Sequence, residues 1–236
     1  MCSILLETSI HDHTMFNTIK DNKYIEEVQP SCYINLIVNK PWGCEFLFFN
    51  ETNISGWILY INKNNSTSFH CHNTKDTPMI ILKGKVIIHT NENKYYLEKA
   101  DYIHIPKGKF HSIEAETDAI ICEFEIKPNK TDLFRLYDKY GRNQKGYEGI
   151  CYMSEKLDVN RYFYLEKKNN YNNSDFFMSM QDENNQSTHK VLRTFYILIN
   201  GKLQENNKYF SEGTLLNYYP KNNDIKVLKI QILDSN

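Results

Sequence analysis

Three histidines have the spacing of a metal site. His70 and His72 flank Cys71, and His111 ends the run Pro106-Lys107-Gly108-Lys109-Phe110-His111. Side chains alternate with period two along a strand, so His70 and His72 share one face and Cys71 packs on the other. A third imidazole from a later strand closes a three-nitrogen site that leaves positions open for water or substrate. Zn, Fe, Ni, Cu and Mn all suit such a set, and affinity order does not choose among them. Proton chemistry needs a partner group. Glu123 and Glu125 alternate with Cys122, Phe124 and Ile126. The apolar face makes the better core, which turns both carboxylates to solvent. The alternative puts Glu123 inside a barrel as a general base with a raised pKa. His104 shares a face with Tyr102 and, where that face points inward, is a candidate proton shuttle. His89 and His189 read as structural.

These groups need strands to hold them. Residues 33–38, 44–49, 57–61, 68–72, 79–82, 85–90, 94–97, 102–105 and 119–126 carry β signals. Gly, Asn and Pro punctuate them, and Asn91-Glu92-Asn93 reads as a hairpin loop. Short strands about ten residues apart indicate an all-β sandwich or barrel. Residues 1–27 are weakly patterned, with a short helix possible over 14–23. Residues 132–142 read as a short helix or an extended connector. Strand signals return at 161–165, 175–180, 191–199, 214–219 and 225–233.

Bulk composition narrows the function classes. The chain has 236 residues, 28 basic against 29 acidic, and a net charge of -1. That balance gives no electrostatic case for nucleic acid or an anionic membrane. No apolar run approaches the roughly 18 residues of a membrane span, and the N-terminus lacks a basic leader pattern. The 6 cysteines form no CxxC pair, so free thiols in a reducing cytoplasm are expected. With 17 Tyr and 13 Phe, the composition favours strands.

The two halves align on Gly84 and Gly201. His72 and His189 each precede their glycine by twelve residues, and Thr77 and Thr194 by seven. Ala100-Asp101 falls opposite Glu212-Gly213. Ser187 stands where His70 would repeat, and nothing after Pro220 matches His111. The second half therefore reads as a copy that has lost two of three nitrogens.

His70, His72 and Gly84, with Pro106, Gly108 and His111, resemble the two motifs of the cupin superfamily, G-x5-H-x-H-x(3,4)-E-x6-G and G-x5-P-x-G-x2-H-x3-N. The resemblance implies a double-stranded β-helix of jelly-roll type, here two tandem cupin-like barrels with few short helices. It implies one divalent metal (Zn, Fe, Ni or Mn) on His70, His72 and His111. Thr77 replaces the motif's Glu, Ala100 its second Gly and Ala115 its Asn. Lys40-Pro41-Trp42-Gly43-x-Glu45 and Asp132-Leu-Phe-Arg135-x-x-Asp138-x-Tyr140-Gly141-Arg142 are similar to the flanks of the cupin domain in type II mannose-6-phosphate isomerases. The resemblance implies a sugar phosphate or activated sugar as substrate and isomerase or epimerase chemistry. A ferrous oxygenase or lyase, and a non-catalytic sugar-binding or regulatory protein, are the alternatives. It makes Glu45, Trp57 and Tyr60 pocket walls and lets Thr77 bond a metal-bound water. Arg135, Tyr140 and Arg142 either clamp a phosphate or fasten the connector. The expected division is an arm at 1–27, a metal-binding cupin domain at 28–130, a connector at 131–155 and a degenerate second half at 156–236. Pairing of barrel edges implies a possible homodimer.

Overall fold

The computed structural model describes residues 1–155, 161–165, 170–180, 190–205, 208–216, 218–220 and 225–234. Eight strands wind into a jelly roll. β4 (Ile54–Ile61), β6 (Thr77–Lys83), β9 (Tyr102–Ile105) and β11 (Ala119–Ile126) pair in the order β4-β11-β6-β9. β5 (Phe69–Cys71), β7 (Lys85–Thr90), β8 (Lys94–Glu98) and β10 (His111–Ala115) pair in the order β5-β10-β7-β8. All these pairings are antiparallel. A chain that alternates between two sheets in this order is a double-stranded β-helix.

Additions lengthen both sheets. β1 (Ser3–Leu5) joins β9 in parallel, while β3 (Gly43–Asn50), β2 (Leu36–Lys40) and β13 (Met153–Glu155) extend the β4 edge to make eight strands. β12 (Phe134–Tyr137) extends the other sheet to five. The segment expected as a connector thus contributes a strand to each sheet. Helix α1 (Ile10–Ile19) starts four residues before its predicted position. Its start is fixed by a capping box in which the Ser9 hydroxyl accepts from Asp12 N–H and the Asp12 carboxylate from Ser9 N–H.

Alternation sorts the barrel's side chains. Trp57, Leu59, Met79, Ile81, Ile103, Ile113 and Ile121 fill the interior between the two sheets. Their neighbours Ile58, Ile80, Leu82, Tyr102, Cys122 and Phe124 point outward, yet are buried too. They pack against Phe176, Met178, Phe195, Ile197, Leu228 and Ile230 of the second half. With both faces covered, strands such as Ile80-Ile81-Leu82 are apolar throughout.

The second half repeats the first. β14 (Asn170–Asn172), β15 (Phe176–Met180), β16 (Val191–Asn200), β19 (Leu215–Leu216) and β20 (Lys226–Leu233) form a sheet in the order β14-β15-β20-β16-β19. Its run β15-β20-β16-β19 matches β4-β11-β6-β9. β17 (Leu203–Glu205) and β18 (Lys208–Phe210) form a ribbon that corresponds to β7 and β8. Gly84 and Gly201 take the same left-handed turn, φ +85° and +96°. Ala100 N–H donates to Ile81 O at 2.9 Å and Ile81 N–H to Asp101 O at 3.0 Å. Gly213 N–H donates to Leu198 O at 2.7 Å and Leu198 N–H to Thr214 O at 3.1 Å. Ala100 therefore corresponds to Gly213, one residue beyond the expected match. Both are left-handed, at +73° and +84°, which explains the motif's glycine. Alanine bears that conformation at a cost of about 1 kcal/mol. Ser187 and His189 lie outside the described residues.

Candidate metal centre

The imidazoles meet because two adjacent strands carry them. His70 lies in β5, His72 just beyond it, and His111 opens β10 directly opposite His70. Cys71 points the other way and packs with Ile19 of α1 and Phe110. One nitrogen from each of the three histidines lies within 4.8 Å of the others.

Each ring's second nitrogen is already engaged. His70 Nδ1 lies 2.8 Å from Ser68 O, and His111 Nδ1 lies 3.0 Å from Lys109 O. His72 Nδ1 meets Asp132 O. A carbonyl only accepts, so each Nδ1 must carry the proton and each Nε2 keeps its lone pair. Burial, the dominant cause, lowers all three pKa values, that of His111 to about 4. Neutral imidazoles with backbone-anchored Nδ1 groups are the donor set that a divalent metal requires. Among the described residues this is the only such cluster of His, Cys, Asp or Glu.

The facing wall corrects the expected orientation of β11. Glu123 and Glu125 face the barrel and line the metal cavity, not solvent. Their strand has no solvent face, because Cys122 and Phe124 are buried against the second half. Burial raises the Glu123 pKa to about 7, and Glu125 and Glu45 add to the rise while Lys75 and Lys130 oppose it. Burial acts on Glu125 in the same direction. There it is outweighed by Lys130 at 2.9 Å and by an ion pair with Lys75, so the carboxyl stays well below its usual range. The Lys130 ammonium sits 3.6 Å from the centre of the Trp57 ring and 4.5 Å from that of Tyr147.

Other expected residues divide. Glu45 and Trp57 line the cavity; Glu45 accepts from the Tyr147 hydroxyl and pairs with Lys40 at 3.3 Å. Tyr60 does not line it. Period two turns Tyr60 away from Trp57 to the outer face, where its ring lies 4.3 Å from the Arg161 guanidinium. His104 is also outside, because Ile103 and Ile105 take the inward face of β9. It borders a cleft between the halves with Asp76 and Gly213. Thr77 is buried at the start of β6 without lining the cavity. Arg135 lines it but is committed to structure, donating to the carbonyls of Lys145 and Gly146 and to Ser68 Oγ at 3.3 Å. Arg142 is held by Asp138 at 2.7 Å and by Glu148, and Tyr140 donates to Asn65 at 3.0 Å. Arg135 and Tyr140 fasten the segment after β12 to the barrel, and Arg142 braces that segment internally. His89 bonds Glu114 at 2.7 Å.

Sequence reasoning missed Lys75, Lys130 and Tyr147. Isolated Lys and Tyr residues in loops carry no periodic signal. Asp132 was visible as part of a motif, but not its work. Its carboxylate accepts from Asn73 N–H and Thr74 N–H, both at 2.7 Å, while its carbonyl anchors His72.

No family model matches the chain, and no curated protein matches it. Solved structures are similar to part of it. The capsular polysaccharide assembling protein CapF from Staphylococcus aureus is 22% identical over 46% of this chain and 37% of its own, with a TM-score of 0.40. KdgF from Halomonas sp. is 14% identical over 38% of this chain and 84% of its own, TM-score 0.37. A cupin-2 domain containing protein from Shewanella frigidimarina is 19% identical over 37% and 83%, TM-score 0.34. By its own strand order, the chain has the double-stranded β-helix fold, the fold of the cupin proteins it resembles.

Proposed function

We propose that the chain is a metal-dependent enzyme that moves a proton on a sugar-derived substrate, as an isomerase or epimerase does. Three backbone-anchored imidazoles facing Glu123, whose pKa is raised to about 7, are the observation that carries this reading. His70, His72 and His111 would hold one divalent ion, of Zn, Fe, Ni or Mn. When bound, the ion supplies Lewis acidity toward a carbonyl or hydroxyl oxygen. Glu123 takes and returns the proton, since a carboxyl titrating near neutrality serves both directions. Glu125 stays ionised between Lys75 and Lys130, which fixes two ammonium groups toward the cavity. Trp57, Leu59 and Ile113 give the cavity an apolar wall. The sugar assignment rests on the resemblance of the segments around Trp42 and Arg135. The 6 free thiols fit a cytoplasmic setting, and no helix among the described residues is long and apolar enough to cross a membrane. A homodimer belongs to this reading: β8 is an edge strand whose Tyr96 is exposed.

Metal content by mass spectrometry, with turnover on a panel of sugar phosphates, tests the proposal. Wild type should carry near one equivalent and the His72→Ala/His111→Ala double variant none. Glu123→Gln should keep its metal and lose at least about a hundredfold in kcat. The active form of Glu123 is the carboxylate, so wild-type kcat/KM should rise about tenfold per pH unit below 7 and level off above it. A metal-free wild type after reconstitution, or a Glu123→Gln variant with full activity, sinks the reading.

A further inference from the structure

Lys75 holds an ammonium inside the metal chamber. The Asp132 carboxylate that accepts from the N–H groups of residues 73 and 74 also accepts from Lys75 N–H, at 3.2 Å, so one loop sets both His72 and Lys75. Lys75 is 4% exposed and lines the cavity with the three histidines. An ammonium has three N–H donors. Among the described residues this one uses a single donor, toward Glu125. The others have no acceptor, although a buried polar hydrogen ordinarily finds one. Lys130 is placed differently. It bonds Glu125 at 2.9 Å, and the Trp57 and Tyr147 rings cover it.

Charge points the same way. Five basic and four acidic side chains line the cavity, and Glu148 and Asp138 pair with its arginines from behind. The imidazoles are neutral. A bound divalent ion therefore leaves this set net positive by one, even with every carboxylate ionised. Unanswered charge in a buried chamber is costly, and one monoanion answers it.

The room beside the histidines is about 70 Å³, space for a group of a few heavy atoms. An open metal position and the spare N–H groups of Lys75 call for two acceptor atoms on that group. A carboxylate supplies two oxygens and a single charge. A halide has only one atom, and a phosphate carries more charge than the balance asks for. Leu59 and Ile113 offer apolar walls to the attached carbon.

We propose that the metal chamber is a carboxylate site, in which one oxygen takes an open metal position and the other accepts from the Lys75 ammonium. The inference rests on the metal-site reading above and names the charged group that the substrate carries into the chamber.

Titration of the cobalt(II)-loaded protein with acetate tests it, because the visible spectrum of the ion reports a change of ligand. Acetate should shift the wild-type spectrum, and acetamide, a neutral molecule of the same shape, should not. Lys75→Met should weaken acetate by about tenfold or more with cobalt content unchanged, since Glu125 keeps Lys130 as its partner. Lys75→Gln, which fills similar space without the charge, should do the same and decides the matter if the Met variant does not fold. Lys130→Met removes a charge from the same walls and should cost no more than about threefold. Acetate affinity that survives both Lys75 variants overturns the proposal. So does an equal loss in Lys130→Met, which makes the effect one of overall charge. A wild type that takes up cobalt and ignores acetate sinks this inference alone. A wild type that takes up no cobalt sinks the metal reading, and the carboxylate site falls with it.

Discussion

Asp132 shows how much one side chain organises. Its carboxylate gathers the N–H groups of residues 73 to 75, and its carbonyl fixes the His72 tautomer. Groups that orient a metal's ligands affect affinity without touching the ion. Asp132→Ala should therefore lower metal affinity about 10–100-fold, read by competition with a chelating dye. Lys130 makes a different contribution, because its ammonium supports Glu125 while resting on Trp57. Lys130→Ala should destabilise by about 2 kcal/mol in urea at pH 7. The pH dependence has two opposing parts. Glu125 has a depressed folded pKa, so its stabilisation is complete above its unfolded value and fades as pH falls below about 4. Glu123 is raised from 4.5 to about 7, so the folded state holds the extra proton and stability declines as pH climbs between those values. Glu123→Gln should flatten that second decline, and Lys130→Ala should soften the first.

At the level of elements, α1 and the loop before β10 support each other. Asp12 caps the helix, accepts from Phe110 N–H at 3.0 Å and pairs with Lys109 at 2.9 Å. Asp12→Ala removes a cap and a buried ionic partner together, at a cost of about 3 kcal/mol by chemical denaturation. It should also weaken metal binding, since Lys109 O anchors His111. Strand periodicity made much of this level legible. It placed β7, β9 and β11 with their observed ends and put His70 and His72 on one face. It could not choose which face of β9 or β11 points inward, because alternation gives a period and not a sign. For β11 the usual guess, apolar face inward, failed because a second sheet covers the outer face. β10 escaped notice. Its alternation of His111, Ile113 and Ala115 with Ser112 and Glu114 is short and follows a turn. β12 and β13 are three or four residues long, too brief for any period to emerge.

Over the whole molecule, the two halves share one core. Phe124 sits at its centre, packed on Phe48 and Phe49 and fully buried. Phe124→Ala should cost about 3–5 kcal/mol and shift the thermal midpoint of both halves together. Metal stoichiometry of the surviving folded protein should be unchanged, since the ring points away from the cavity. The position of β20 carries a further consequence. This strand, Lys226–Leu233, runs between β15 and β16 in the middle of its sheet. It emerges last of the described strands, so β15, paired on its other side with β14, and β16, paired with β19, gain their shared partner only then. Arg193, which grips Cys2 O at 2.8 Å and Ser3 Oγ at 2.7 Å, likewise ties the start of the chain to a late part of it. Closure of this one sheet must therefore wait for β20, whereas both sheets of the first barrel hold all their strands without it.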